Sequence, residues 1–381
     1  MSLLHAYWQT WIHHRRRRLP YRSWWQTLHL DGPLLLALLC LSGCGLVILY
    51  SASGQNWLTV SQQAVKLSLA FIFLVILAQI PPQRYRLWAP WLYSICVLML
   101  VMVLALGVIS KGSQRWLNLG LFRFQPSELM KLVMPLMLAW YFDGFHLPPT
   151  LKQLATALVL ILVPVLLVAK QPDLGTALII AFAGIGVILL AGIRWRIVLC
   201  AFIALAALGP MLWHFMRDYQ KQRIFTLLNP EHDPLGKGYH IIQSKIAIGS
   251  GGLWGKGWLH GSQAHLSFLP EHATDFIFAV SGEEFGFLGS VVLISLFGFI
   301  LGRGLFITSG AKDSFGRLAA GSITLLFFLS AFVNMAMVSG LLPVVGIPLP
   351  LVSYGGTALV TFIACFGIVM SIHAHPKLVS T

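Results

Sequence analysis

The residues best suited to chemistry in this chain are the four carboxylates of FLPEHATDFIFAVSGEE, residues 268–284, where a long apolar run begins. Carboxylates are costly near a bilayer unless they are paired, solvated or used. The chain has twelve acidic residues, and seven of them lie within residues 218–284. A helix beginning here would place Glu271 and Asp275 on one face, and Glu283 would continue that face.

These acids have two interpretations that their residue types alone do not separate. They could pair with nearby cations or cap the following span, because acids are favoured at helix N-termini. Alternatively, one carboxylate could act as a general base. The apolar neighbours Phe276, Ile277 and Phe278 would raise the pKa of such a group toward the range that proton transfer needs.

Three more polar segments lie at the ends of apolar runs. In FQPSELMK, residues 124–131, Glu128 and Lys131 share one side of a helix that begins at Pro126. This pair either makes burial tolerable or lines a polar cavity. In KQPDLGT, residues 170–176, an acid and a base flank a turn proline, which is a weak signal by itself.

The segment GIPLPLVSYGG, residues 346–356, combines prolines that stop a regular helix with glycines that permit close approach. Broken backbone at membrane depth is tolerated only where it is buried in protein or lines a cavity. We predict a mainly structural segment, in which Ser353 and Tyr354 are candidate ligand contacts.

Hydropathy sets the class of protein that must position these groups. The chain is 57% apolar and 10% charged, with a net charge of +14, far from globular averages. Long apolar runs cross membranes as helices, and we predict an all-α polytopic membrane protein with about ten transmembrane helices. The predicted spans cover residues 33–51, 60–80, 88–109, 127–142, 151–169, 173–190, 197–216, 276–301, 317–341 and 353–373.

Basic residues predict how the chain is oriented and divided. Arg15–Arg18 precede the first span, and other Lys and Arg residues lie in alternate connections, which places both termini in the cytoplasm. We predict a basic and aromatic cytoplasmic segment (1–30), a single membrane domain (31–376) and a cytoplasmic tail (377–381). A large extracytoplasmic loop (217–275) joins the seventh and eighth spans. The basic segment favours contact with anionic membrane lipids over nucleic acid.

The outer connections carry cations against the usual charge rule. Residues 110–126 hold Lys111, Arg115 and Arg123, and Lys245 is one of several basic residues in the long loop. They either contact lipid headgroups or bind an anionic ligand. The second interpretation is favoured, because Arg and Lys are the side chains that hold phosphate.

Residues 240–261 of the long loop join an amphipathic stretch to a glycine-rich one. We interpret them as a segment lying in the membrane interface, followed by a turn where backbone can approach a ligand. The glycine spacing matches neither a P-loop nor G-x-G-x-x-G, so a nucleotide is not indicated. The five cysteines and thirteen histidines lack metal-ligand spacing, and no metal site is predicted.

Long strings of this sequence resemble the SEDS family (shape, elongation, division and sporulation). The matching strings are KGSQRWLNLG, FQPSELMK, QPDLGTA, NPEHDPLGKGYHIIQSKIAIGSGGLWGKGWLHG, FLPEHATDFIFA and NMAMVSGLLPVVGIPLPLVSYGG, which span most of residues 110–375. The resemblance implies a ten-span peptidoglycan glycosyltransferase of the bacterial inner membrane with a periplasmic active face. It also implies a class B penicillin-binding protein, a transpeptidase, as a partner contacted through transmembrane helices.

The resemblance further implies the reaction and some of the residues that perform it. Lipid II would be polymerised onto a glycan on polyprenyl diphosphate, with inversion and release of that diphosphate, during cell-wall elongation. The catalytic aspartate of the family falls on Asp275. Family positions also fall on Arg115, Glu128, Lys131 and Asp173. With the candidates from the residues themselves, the predicted substrate-binding set is Arg115, Glu128, Lys131, Asp173, Lys245, Glu271, His272, Ser353 and Tyr354.

Alternatives remain at this point. A diphosphate substrate leaves a requirement for Mg²⁺ or Mn²⁺ open, although the sequence has no dedicated ligand cage. Ten spans with broken helices also suit a lipid II flippase, and a noncatalytic scaffold for a partner is a third class. Within the family, the division-specific paralogue is a further alternative to the elongation member.

Overall fold

The computed structural model describes residues 28–110, 113–118, 123–194, 196–200, 203, 207–209, 214, 218–229, 237–265 and 271–375. The helices are α1 (Gly32–Ala52), α2 (Trp57–Gln79), α3 (Pro82–Leu106), α4 (Pro126–Asp143), α5 (Leu151–Lys170), α6 (Leu174–Leu190), α7 (Asp218–Leu228), α8 (Lys237–Ser250), α9 (Ser262–His265), α10 (Ile277–Gly310), α11 (Ser314–Val338) and α12 (Thr357–Ala374). The predicted helical, polytopic fold class is confirmed.

The connection between α3 and α4, predicted as a loop, contains a small antiparallel sheet. Its strands are β1 (Val108–Ser110), β2 (Ser113–Asn118) and β3 (Arg123–Phe124), with β2 in the centre. Leu117 pairs with Phe124 across β2 and β3. Arg115 lies in the middle of β2, so the backbone that carries its side chain belongs to the central strand of the sheet.

Within the described ranges, seven helices are long and apolar enough to cross a membrane: α1, α2, α3, α5, α10, α11 and α12. The predicted spans at α4 and α6 are helices of 18 and 17 residues; α4 is mostly buried, whereas α6 buries one side and exposes apolar residues on the other. Of the predicted seventh span, 197–216, only residues 197–200, 203, 207–209 and 214 are described, and these are helical. The integral membrane class is thus confirmed, while the count of ten spans stays a prediction.

Helix starts follow local sequence signals. Asp31 caps α1 by accepting a hydrogen bond from Leu34 N at 3.0 Å, and Thr150 and Gln153 form a capping box at α5. Pro126 is the first residue of α4, where a missing N–H costs nothing. Local sequence therefore sets the entry points of the helices that carry the polar groups.

Packing places α4, α11 and α12 at the centre of the bundle. α12 packs on α2, α11 packs on α10 and α6, and α4 packs on α3 and α6. Close approach depends on small residues, as in many membrane helices. A Cβ on Gly367 of α12 would lie 2.9 Å from Leu74 O of α2.

The glycine-rich stretch of the long loop packs against a break in α10. Gly286 has φ 65° and ψ −156°, which interrupts the helix. Lys256 N donates to Glu283 O at 3.0 Å, and Phe287 N donates to Gly252 O at 2.9 Å. The loop thereby satisfies backbone groups that the break releases. The prediction that a ligand approaches the backbone at these glycines is wrong, because the backbone of α10 packs against them.

The predicted helical face shared by the acids is also wrong. α10 begins at Ile277, and residues 271–276 form turns in which Glu271 has a left-handed φ of 51°. Glu283 is fully buried and its Oε1 lies 2.6 Å from Lys256 Nζ. The interpretation of Glu283 as a paired acid is therefore confirmed, whereas Glu271 and Asp275 need another explanation.

Candidate functional site

A cavity of about 750 Å³ collects most of the polar groups singled out above. Its walls come from β2, the starts of α4 and α6, the helices α7 and α8, and the segments around residues 271–276 and 344–358. The predicted site residues that line it are Arg115, Glu128, Lys131, Asp173, Glu271, Asp275 and Tyr354. Segments far apart in sequence therefore converge on one space.

Three hydrogen bonds fix the backbone around Asp275. Tyr354 N donates to Ala273 O at 2.9 Å, and Ser353 Oγ donates to Thr274 O at 2.5 Å. Asn334 Nδ2 donates to Asp275 O at 2.9 Å. Three successive carbonyls are thus held by α11 and the 346–356 segment, so the backbone that carries the half-buried Asp275 side chain is fixed at the cavity.

Gly346 leaves room for the Asp275 carboxylate. A Cβ at this position would lie 3.4 Å from Asp275 Oδ2, and the φ of Gly346 is 78°, a conformation that other residues rarely adopt. The glycine of this segment therefore permits a close approach, although the group it admits is the carboxylate of this chain.

Three predicted substrate-binding residues do not line the cavity. Ser353 is 4% exposed and uses its hydroxyl internally, accepting from Leu349 N at 2.8 Å while donating to Thr274 O. His272 is half-buried outside the lining. Lys245 is exposed and its stem lies against Gly340. For Ser353 the structure replaces a ligand contact with a positioning role, because its hydroxyl already has two partners.

Glu128 and Lys131 form a buried ion pair that lines the cavity. Lys131 Nζ lies 2.6 Å from Glu128 Oε1, and both side chains are less than a tenth exposed. The second oxygen, Glu128 Oε2, has no hydrogen-bond partner among the described residues. The interpretation of a pair that lines a polar cavity is therefore favoured over one that only makes burial tolerable.

Asp173 connects the sheet to α6. It caps α6 by accepting from Thr176 N at 3.2 Å, and its Oδ2 lies 3.5 Å from Arg115 Nη1 and 3.4 Å from Gln125 Nε2. Arg115 also donates to Pro172 O at 3.2 Å. These contacts hold the Arg115 guanidinium at the cavity wall, so Asp173 acts first as an anchor for that cation.

Helices α7 and α8 bring two further residues to the same cavity, Arg223 and His240. Sequence reasoning counted Arg223 only as one of the basic residues of the long loop, and it missed His240. The His240 ring stacks on Phe276, with centroids 5.9 Å apart. Burial lowers the pKa of His240, and the charge of Glu271 opposes part of that shift. No spacing in the sequence singles out these residues, since their proximity depends on how the long loop folds.

Tyr354 is held by a residue of α2 that the sequence did not suggest. Lys66 Nζ lies 3.3 Å from the Tyr354 hydroxyl and 4.5 Å from the centre of its ring. Tyr354 also donates to Gln62 Oε1 at 3.2 Å. The phenol therefore has a fixed orientation at the cavity wall.

The arrangement suits transfer chemistry on an anionic substrate. Asp275 and Glu271 supply carboxylates, and Arg115, Lys131 and Arg223 supply cations around the same space. Such a site can remove a proton from an alcohol while cations stabilise a phosphate leaving group. The described part of the chain holds no group of three or more His, Cys, Asp or Glu residues arranged to bind a metal ion, and the question of a divalent ion stays as the sequence left it.

Comparisons with known proteins identify the family of this chain. A family profile described as "Cell cycle protein", covering FtsW, RodA and SpoVE, matches residues 32–378. The chain is 53% identical over 360 residues to the "Peptidoglycan glycosyltransferase MrdB" of Escherichia coli K12, covering 94% of this chain and 97% of that protein.

Two solved structures are also similar. One, described as "Structural coordination of polymerization and crosslinking by a peptidoglycan synthase complex", has a TM-score of 0.80 at 33% identity, covering 90% of this chain and 97% of that one. The crystal structure of the Thermus thermophilus rod shape determining protein RodA has a TM-score of 0.68 at 29% identity, covering 90% and 96%. The chain belongs to the SEDS family, the FtsW/RodA/SpoVE family of cell cycle proteins.

Proposed function

We propose that this protein is a peptidoglycan glycosyltransferase that polymerises lipid II during cell-wall elongation. The observation that carries the proposal is Asp275, clamped through its own and its neighbours' carbonyls at the wall of a cavity lined by cations. The names of the similar proteins support this reaction and its elongation role.

The chemistry begins with proton removal by Asp275. The carboxylate accepts the proton of the acceptor's 4-hydroxyl as that oxygen attacks the anomeric carbon of the donor glycan. The new glycosidic bond forms as the bond to polyprenyl diphosphate breaks, and the anomeric configuration inverts. One carboxylate suffices, because a diphosphate leaves without a general acid, unlike the alcohol released in glycosidic hydrolysis. A positioned base contributes about 10²–10⁴-fold in rate.

Lys131 and Arg115 supply positive charge toward the departing diphosphate. Their partners Glu128 and Asp173 hold them in place, and preorganised charge stabilises a transition state without reorganisation cost. The pairing also keeps the cavity from carrying a large net charge before substrate binds. Glu128 and Asp173 thus contribute indirectly, by orienting the cations.

We also propose the setting in which the reaction takes place. The protein would lie in the bacterial inner membrane with both termini in the cytoplasm, and the cavity would open to the periplasm. A class B penicillin-binding protein would contact its transmembrane helices, in keeping with the similar structure of a complex that joins polymerization to crosslinking. Lipid II and the glycan on polyprenyl diphosphate would enter from the membrane.

The test is lipid II polymerisation by the purified protein in detergent, comparing wild type with Asp275→Asn. We expect glycan of increased length from wild type and none from the variant, while both keep the same unfolding temperature and bind the partner equally. Asp313→Asn makes the same chemical change at the start of α11, outside the cavity, and should remain active.

Other outcomes would reject the proposal. If the Asp275→Asn variant still polymerises lipid II, Asp275 is not the general base. If the wild type makes no polymer but moves lipid II across the membrane of vesicles, the protein is a flippase. A scaffold would leave cell-wall synthesis unaffected by Asp275→Asn whenever partner binding survives.

A further inference from the structure

A smaller chamber of about 150 Å³ adjoins the main cavity. Arg223, His240 and Val344 line both spaces, and Thr226 and Ile241 complete the smaller one. Thr226 Oγ1 donates to Gln222 O at 2.8 Å, so its hydroxyl hydrogen is engaged within α7. The chamber therefore offers one cation and one imidazole, with largely apolar walls.

The environment of His240 defines which nitrogen can act. Nδ1 is buried and has no hydrogen-bond partner among the residues that the structure describes. A neutral imidazole carries one N–H, and a buried N–H without an acceptor is costly, so the proton favours Nε2. The His240 ring stacks on Phe276, the residue that follows Asp275, and this stacking fixes the plane of the ring.

Burial of the ring favours the neutral form of His240. Burial lowers the pKa of His240, with the charge of Glu271 opposing in part, so the ring loses its second proton more readily than an exposed histidine does. Arg223 from α7, together with Glu271 and Asp275 from the 271–276 turns, lines the cavity that the ring faces. A neutral N–H donor beside a guanidinium is a pairing that recognises phosphate oxygens.

We propose that this chamber is a subsite for a phosphate of the substrate diphosphate, in which His240 donates a hydrogen bond from Nε2 and Arg223 supplies the charge. The inference rests on the proposed function and extends it, because it assigns the diphosphate to residues of α7 and α8 as well as to the cations beside Asp173 and Glu128. His240 is then a substrate-positioning residue that does not carry a proton in the reaction.

The test replaces His240 in the full-length protein and measures lipid II polymerisation. His240→Gln places an amide N–H near the position of Nε2, and we expect kcat/KM within about threefold of wild type. His240→Phe keeps the ring but lacks a donor, and His240→Asn places its amide near Nδ1. We expect each to lower kcat/KM by about 10- to 100-fold. His146→Phe lies between α4 and α5, outside both chambers, and should match wild type.

The outcomes separate this inference from the proposed function. A wild type that makes no polymer rejects the function itself. An active wild type with an equally active His240→Phe rejects only the chamber. A glutamine variant as impaired as the phenylalanine variant also overturns the donor role. The donor role is also overturned if the kcat/KM of the wild type falls at acid pH and His240→Gln abolishes that fall. If His240→Phe fails to fold, the comparison of His240→Asn with His240→Gln carries the test.

A second measurement identifies which diphosphate binds. Short-chain polyprenyl diphosphate and the matching monophosphate serve as inhibitors. If the donor's leaving group binds here, His240→Phe raises the half-inhibitory diphosphate concentration about tenfold and leaves the monophosphate value unchanged. If the acceptor's diphosphate binds here, His240→Phe raises the KM for lipid II. The variant and the wild type then use an acceptor with the same sugar and peptide but without the lipid diphosphate equally well. Either change supports the phosphate subsite, and the absence of both overturns it.

Discussion

Ser353 offers the sharpest way to separate positioning from binding. Its hydroxyl donates to Thr274 O and accepts from Leu349 N, and the side chain is almost fully buried. Ser353→Ala deletes both hydrogen bonds without adding volume. At about 1 kcal/mol for each bond, the positioned conformation loses about 2 kcal/mol relative to displaced ones.

That loss sets the expected size of the kinetic effect. About 2 kcal/mol corresponds to a factor of about 30 in an equilibrium. We therefore expect kcat for lipid II polymerisation to fall by up to about 30-fold, because Asp275 spends less time at the position from which we propose that it acts as the base. KM should stay within about twofold of wild type, because the hydroxyl faces backbone and not the cavity.

The matched control is Ser322→Ala. Ser322 is fully buried and donates to Ala183 O at 2.7 Å, remote from the cavity. It loses one hydrogen bond where Ser353→Ala loses two, so it should lower the unfolding temperature about half as much and leave kcat unchanged. A rise in KM with an unchanged kcat for Ser353→Ala would refute the positioning argument, and so would an equal loss of kcat in both variants.

Three more perturbations probe the parts that support the site. Lys256→Met leaves Glu283 buried without its ion pair, which should cost about 3–5 kcal/mol and lower the unfolding temperature measured in detergent. Gly346→Ala strains a left-handed backbone by about 1–2 kcal/mol and crowds the Asp275 carboxylate, the proposed general base, so polymerisation should fall. Asp31 is buried, which raises its pKa, yet the hydrogen bonds from Arg303 and Leu34 N and the charges of Arg303 and His373 together outweigh burial and hold that pKa below its usual value. Its stabilisation is therefore present above about pH 3.9 and disappears as pH falls through the lower folded value, so unfolding temperatures of wild type and Asp31→Asn should converge in acid.

Each of these has a control or a contradicting result. Lys312→Met changes an exposed lysine and should be silent, and an equal loss of stability there would contradict the buried-pair argument. Full activity of Gly346→Ala would show that the carboxylate does not need this space. A constant difference between wild type and Asp31→Asn down to pH 2 would contradict the depressed pKa.

The class of protein and much of the site follow from sequence alone. Apolar runs define the membrane helices because lipid cannot hydrogen-bond their backbones. The pairing of Glu128 with Lys131 follows from their spacing of three residues on a helix that starts at a proline. These are local features, and local spacing is enough to specify them.

Other features depend on contacts between distant segments. Glu271 and Asp275 lie on turns because groups from residues 334, 353 and 354 hold the carbonyls of residues 273–275, which no helical spacing predicts. The glycines near residue 255 serve the break in α10 for the same reason.

Hydropathy also cannot tell the inner faces of these helices from the outer ones, because lipid-facing side chains are as apolar as buried ones. The membrane class and the Glu128–Lys131 pair are therefore determined by residues that are close together in the sequence. The placement of His240 beside Phe276, and with it the smaller chamber, arises only when the long loop packs onto the bundle.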